Sequence, residues 1–398
     1  MLKNRPEGLD NRFGNMLTIV ADDKIPYLRG ALEPWATVRY FPGSRIRRAD
    51  LAGADALVVR TRTCCSAELL EGTPVRFIAT ATSGHDHIDT AWCDAHSVVW
   101  ASAPGCNAGS VQQYVASALA WVTLRRGKSM RGLTLGVVGA GHVGKRVAEL
   151  GRILGMEVLV NDPPRARAEG GDGFVELADL LTRADLLTLH VPLNTDGPDC
   201  TLKLLDRQAF SLLKRGAWLI NSSRGEVVAG EALREGLQNG ILGGAVIDVW
   251  ENEPVPDPAL LGMVTLGTPH IAGYSADGKA MGTRMIVRSL GRFFGLPLDD
   301  WSPQDIPGPP GGGILSALTG RSPEELLAGA ILATCNPEIA DARLRNAPEL
   351  FENLRENYPV RREFGAYRVR QTMKDTGLEK VFGDLGFAVE VPRSNRVS

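Results

Sequence analysis

The chain has 398 residues, 44% of them apolar and 23% charged, with a formal net charge of −2. Such a length exceeds one ordinary core and implies two or three soluble domains. The near-neutral charge gives no basic face for nucleic acid, and no apolar run approaches the roughly 18 residues needed to span a bilayer.

The opening MLKNRPEGLDNRFGN is polar and lacks the apolar middle of a signal peptide, so residues 1–15 read as a disordered extension. Six cysteines show neither C-x-x-C spacing nor the density of a disulfide scaffold. Reduced thiols in a cytoplasmic protein are the simplest expectation. From Met16, the short apolar runs MLTIVAD, ALVVRT, VRFIATAT and VVWASA alternate with helical stretches, a pattern that predicts parallel α/β construction. A helix is expected in GSVQQYVASALAWVTLRRG, with Val111, Val115, Ala118, Leu119 and Trp121 near one face, connecting this unit to a second.

The second unit starts at RGLTLGVVGAGHVGKRV. Its strands LLTLHVP, AWLINSSRG and GGAVIDVW are mostly apolar, as strands covered on both faces should be, and they predict a doubly wound sheet. WSPQDIPGPPGGG, residues 301–313, holds four prolines and four glycines and reads as a linker. Residues 314–398 remain, enough for a small separate domain.

Gly139, Gly141 and Gly144 follow an apolar strand and open a helix. Tight strand-to-helix packing alone could require them. In this context, though, they also permit close approach of a pyrophosphate to helix N-terminal amides. Asp162 closes the next strand, where a carboxylate accepts from both ribose hydroxyls and repels a 2′-phosphate, so NAD is expected over NADP. Three later strand ends carry Arg224, then Asp248 with Glu253, then His270. A lone histidine beside apolar residues is ordinarily a core side chain, but here a two-bond carboxylate grip, a carboxylate partner and an imidazole converge near a nicotinamide site. That set suits oxidation of a 2-hydroxy acid, with His270 exchanging the hydroxyl proton and Glu253 favouring its charged form.

In this order, the glycine loop, Asp162, Arg224, Glu253 and His270 resemble the D-specific 2-hydroxyacid dehydrogenases over roughly residues 16–300. The resemblance implies an α/β fold of two Rossmann-like, doubly wound parallel-sheet domains. Residues 16–108 with 276–300 would bind substrate, residues 109–275 would bind NAD, and the active site would lie in a cleft. GTPHIAGYSADGKAMGT, NDPPRA, DGPDCTL, APGCNAGSVQQYV and the tail ELFENLRENYPVRREFGAYRV are similar to a narrower family, the 4-phosphoerythronate dehydrogenases. That likeness implies oxidation of 4-phospho-D-erythronate in pyridoxal phosphate biosynthesis, and a homodimer formed through a small α+β C-terminal domain.

Carried over by motif, Arg224, Glu253 and His270 would be catalytic. Gly139, Gly141, His142, Val143, Gly144, Asp162, Ser222, Ser223, Arg224, Asp248 and Gly273 would line the cofactor, and Thr61, Thr82 and Tyr274 would touch substrate. The family commonly has serine where Thr61 stands. Arg60, Arg62, Arg361 and Arg362 are candidate phosphate receptors. His85 and His87 in SGHDHIDT complete no metal-ligand set, and a turn starting a helix near Asp89 is expected there. Cys106 has no assigned base and reads as part of a tight passage into the connecting helix. Two rival readings are a dehydrogenase of another 2-hydroxy acid, such as 3-phosphoglycerate, and a non-catalytic NAD-responsive corepressor on the same fold.

Overall fold

The structure, a computed structural model, describes residues 16–127, 129–316, 322–370 and 377–390. The extension expected over residues 1–15 lies outside the described residues. The chain divides into two compact units, Met1–Asn107 with Ala276–Pro307, and Ala108–Ser275 with Gly308–Ser398.

The first unit is built on strands β1 (Leu17–Asp22), β2 (Ala36–Phe41), β3 (Ala56–Val59), β4 (Phe77–Thr80) and β5 (Val99–Ala101). All pair in parallel, in the order β2-β1-β3-β4-β5. Parallel strands need cover on both faces, and the apolar runs supply it. One face packs Ile19, Ala21 and Phe77 against Ile286, Val287 and Leu290 of the helix Ala276–Phe294. The other packs Val20, Leu57 and Ile78 against Leu51 and Leu70. As the sequence suggests, Asp89 caps the helix Thr90–Ala95 by accepting from the Trp92 amide, and buried Cys106 precedes the helix Ala108–Arg126.

In the second unit, strands β6 (Thr134–Val138), β7 (Glu157–Asn161), β8 (Leu186–Leu189), β9 (Ala217–Asn221), β10 (Leu242–Ile247) and β11 (Leu266–Gly267) form a parallel sheet. Their order is β11-β10-β9-β8-β6-β7. β7 and β8 therefore flank β6 on opposite sides, and the crevice beyond the end of β6 is the ligand position such sheets offer.

The helix Ala108–Arg126 departs from the one-faced pattern read in the sequence. Tyr114, Val115, Ala118, Leu119 and Val122 have no exposed surface. Its second face is covered by Leu326, Ala330 and Ile331 of the helix Pro323–Thr334, so the stretch Gln113–Val122 is interior while Leu124 and Arg125 are exposed.

The same contacts place the tail. Strands β12 (Ile314–Leu315), β13 (Arg368–Arg370) and β14 (Ala388–Glu390) form a small sheet in the order β12-β13-β14, paired in parallel. Tyr367, Phe382 and Phe387 lie in one continuous core with Leu119, Val147 and Leu150. The segment shares the core of the nucleotide-type sheet instead of standing apart. A second anchor lies at the sheet edge. Arg345 pairs with Asp341 at 2.8 Å and donates to the carbonyls of Leu261 (2.6 Å) and Val264 (2.8 Å). Asp341 in turn accepts from the Gly267 amide at 2.6 Å. Among the described residues no helix is long and apolar enough to cross a membrane.

Candidate active site

β6 ends at Val138, and the chain turns sharply at Gly139, whose φ is +87°. A Cβ there would stand 2.8 Å from the His190 carbonyl that follows β8. At Gly144 a Cβ would collide with the Gly139 carbonyl oxygen, which ties the helix His142–Ile153 tightly to the turn. Gly141 differs, because a Cβ there would meet nothing within 4 Å. Protein packing thus accounts for the first and third glycines and leaves open space at the second, where a pyrophosphate must approach the backbone.

Asp162 fits the ribose end of the same ligand. Its two oxygens accept from the Ala140 amide (2.7 Å) and the Arg165 amide (3.1 Å), and a carboxylate has further lone pairs for two hydroxyls. Ser222, after β9, has a buried hydroxyl oxygen with no hydrogen-bond partner among the described residues, an orphan that a bound group would satisfy. His142 is exposed at the helix start, with Val143 half-buried beside it. These residues fit a dinucleotide.

This geometry separates two glycine substitutions. Gly141→Ala should leave the melting temperature nearly unchanged while weakening NAD by about tenfold or more, the equivalent of roughly 1.4 kcal/mol. Gly144→Ala should instead lower the melting temperature. Titration of NAD and thermal unfolding of both variants check this; undiminished NAD affinity in Gly141→Ala would remove the assignment of that space to the cofactor.

Arg224, Glu253 and His270 come from loops at the ends of three neighbouring strands, β9, β10 and β11. The first two loops touch where Gly225 lies against the backbone of Trp250, too close for any side chain. Half-buried Arg224 donates from Nη1 to the Ser223 carbonyl at 2.9 Å, and its own carbonyl accepts from Asn221 at 2.9 Å.

Glu253 Oε2 lies 2.8 Å from His270 Nδ1, and Oε1 accepts from the Trp250 amide at 3.0 Å. Burial pushes the Glu253 carboxyl up, but the bond and charge of His270, the Trp250 amide and the Arg355 charge outweigh burial and hold it below the usual range. An ionised carboxylate only accepts, so Nδ1 carries the proton and Nε2 is left for chemistry.

His270 itself has a φ of +54°, an uncommon conformation for a residue with a side chain. Asp248 maintains it. Its carbonyl accepts from the His270 amide at 2.7 Å, and its carboxylate accepts from Thr268 (2.6 Å), Ile271 (2.8 Å) and Ala272 (2.8 Å). The sequence reading places Asp248 along the cofactor. In the structure its side chain is fully buried and turned into the histidine loop, because three donors converge there. Burial pushes this carboxyl up, while His270 and the three donors pull it down; the net direction is upward. Buried Tyr114, which nothing in the sequence marks, completes the support with a 2.7 Å contact to Thr268.

Of the expected substrate contacts, Tyr274 is half-buried and lies beneath the guanidinium of Arg355, 5.5 Å from its ring centre. Gly273 is half-buried beside it. In the first unit, Thr61 is exposed after β3. Thr82, after β4, donates to the Gly84 carbonyl at 2.8 Å and contacts Thr80 at 2.7 Å. Thr80 also meets His87 Nε2 at 2.9 Å, and His85 packs on Trp100, so the two histidines serve different neighbours.

The phosphate candidates require one correction. Arg361 is buried, with Nη1 on Cys335 at 3.1 Å and Nη2 on the carbonyls of Ile271 (3.2 Å) and Ala272 (2.6 Å). Those bonds make it a brace for the histidine loop, with both of its Nη atoms engaged. Arg60 pairs through Nε with buried Asp22 at 3.2 Å, and the Arg362 carbonyl accepts from Gln113 at 2.9 Å.

Residues 107–272 match the family model of the D-isomer specific 2-hydroxyacid dehydrogenase, NAD binding domain, and residues 315–386 match a domain family of unknown function. An erythronate-4-phosphate dehydrogenase of Bacteroides fragilis is 46% identical over 354 residues, covering 89% of this chain and 99% of the relative. One from Pseudomonas fluorescens is 41% identical, covering 93% and 99%. Among solved structures, a Thermus thermophilus protein aligns with a TM-score of 0.58 at 28% identity, covering 73% of this chain and 99% of that one. The D-lactate dehydrogenase of Aquifex aeolicus, complexed with NAD and lactic acid, aligns with a TM-score of 0.56 at 24% identity, covering 69% and 95%, and supports the fold. With full-length relatives at this identity and a site whose glycine loop and buried hydroxyl suit a dinucleotide, the chain belongs to the erythronate-4-phosphate dehydrogenase family of NAD-dependent oxidoreductases.

Proposed function

We propose that this chain oxidises 4-phospho-D-erythronate at C2 to (R)-3-hydroxy-2-oxo-4-phosphobutanoate, a step of pyridoxal 5′-phosphate biosynthesis. The observation that carries this reading is the 2.8 Å pair of Glu253 and His270 at the carboxyl edge of a dinucleotide-type sheet. Bound NAD supplies the acceptor for the hydride leaving C2. His270 removes the C2 hydroxyl proton through Nε2, while Glu253 fixes the tautomer and balances the positive charge that results. Arg224 grips the substrate carboxylate through a planar pair of hydrogen bonds. Thr61, Thr82 and Tyr274 are the proposed substrate contacts. Assembly as a homodimer through the C-terminal segment, in the cytoplasm, completes the proposal.

Purified protein, assayed with 4-phospho-D-erythronate, 3-phosphoglycerate and glycolate, tests this assignment. Product is followed by mass spectrometry with and without added 2-oxoglutarate to reoxidise retained cofactor. The reading predicts the highest kcat/KM for 4-phospho-D-erythronate. A higher value for either other acid would reassign the substrate within the same chemistry.

A further inference from the structure

The C-terminal segment brings a cation to the candidate active site that the mechanism above does not use. Arg355 lies on the short helix Phe351–Glu356, which fully buried Phe351 anchors and which follows the Arg345–Asp341 attachment to the edge strand. From there the guanidinium reaches over Tyr274, four residues after His270. Its charge is among those that hold the Glu253 carboxyl low, so it is felt at the catalytic pair.

The hydrogen bonding of Arg355 is incomplete. Its Nε is buried and, like that of Arg361, has no hydrogen-bond partner among the described residues, and none of the ion pairs among them includes Arg355. A buried donor without an acceptor costs about 1–3 kcal/mol, and native structures keep few of them. Arg345, ten residues earlier, shows the ordinary alternative, with a carboxylate and two carbonyls engaged. The Tyr274 face steers the guanidinium plane without satisfying its donors.

We propose that Arg355 is the receptor for the substrate's second anionic group, a phosphate monoester. The inference rests on the phosphorylated substrate proposed above. The first anionic group, the carboxylate, is assigned to Arg224, and the cofactor pyrophosphate belongs to the Gly139–Gly144 turn. A phosphate at the far end of a four-carbon acid is the anion left for a second arginine, whose fork matches two phosphate oxygens. The role falls to a segment beyond the common dehydrogenase fold, so substrate choice and the tail are linked.

The test compares the native chain with Arg355→Met and Arg355→Lys, using 4-phospho-D-erythronate and unphosphorylated D-erythronate. The preference in kcat/KM for the phosphorylated acid should fall by about 30-fold or more in Arg355→Met, with an intermediate loss in Arg355→Lys. Equal losses on both acids would assign Arg355 to support of Glu253 and overturn the proposal. Calorimetry with inorganic phosphate on the NAD-loaded protein is independent of turnover. Weaker phosphate binding in Arg355→Met would sustain the receptor even if 4-phospho-D-erythronate proved not to be the substrate, and unchanged binding would refute it. Melting temperatures of the variants identify any loss due to misfolding.

Discussion

Replacing His270 with alanine is expected to lower kcat for oxidation by about 10²- to 10⁴-fold, the usual contribution of a positioned acid–base group. NAD affinity should change little, because the glycine turn and Asp162 lie on other strand ends. The loss follows from the local construction. Asp248 fixes the His270 backbone in its positive-φ conformation, Glu253 occupies Nδ1, and Nε2 remains to take the proton. Stopped-flow turnover alongside NAD titration checks both halves, and near-native kcat would return His270 to an ordinary packing role.

Glu253 adds a pH dependence whose sign is fixed. Its carboxyl is held low in the folded protein despite burial, chiefly by His270. A carboxyl with a depressed folded pKa contributes stability that is fully present above its unfolded value and is lost as pH falls through the folded one. Glu253→Gln should therefore cost stability at neutral pH and almost none once the native carboxyl is protonated.

Substitution of Arg224 is expected to have the second large effect. Truncating one partner of a buried, hydrogen-bonded charge pair costs about 2–5 kcal/mol, so Arg224→Met should lower kcat/KM by roughly 30- to several-thousand-fold. Arg224→Lys should recover only part of that, because an ammonium cannot reproduce a planar grip on a carboxylate. Added guanidinium should restore activity to Arg224→Met more than to the native enzyme. A kcat/KM within a factor of about two of native in Arg224→Met would place the carboxylate elsewhere.

The sequence discloses the parts of this site that depend on local spacing. The glycines after β6, Asp162 just after β7, and Arg224, Glu253 and His270 after β9, β10 and β11 all sit at strand ends that apolar runs make visible. Contacts that depend on which surfaces meet are hidden. Asp248 looks like another strand-end ligand residue, and only the fold reveals that its carboxylate faces Thr268 and two amides. Arg361 and Arg355 stand in the same basic, aromatic stretch. Burial against the Ile271 and Ala272 carbonyls makes the first a brace, while the second extends over Tyr274. The helix Ala108–Arg126 reads as one-faced because its second partner lies some two hundred residues away.

The most direct measurement uses 4-phospho-D-erythronate carrying deuterium at C2, incubated with the NAD-loaded protein. Deuterium should appear at C4 of the reduced nicotinamide while the acid becomes its 2-oxo product, and His270→Ala should slow both together. Conversion of the acid without deuterium on the cofactor, or no conversion by protein confirmed to hold NAD, would contradict it.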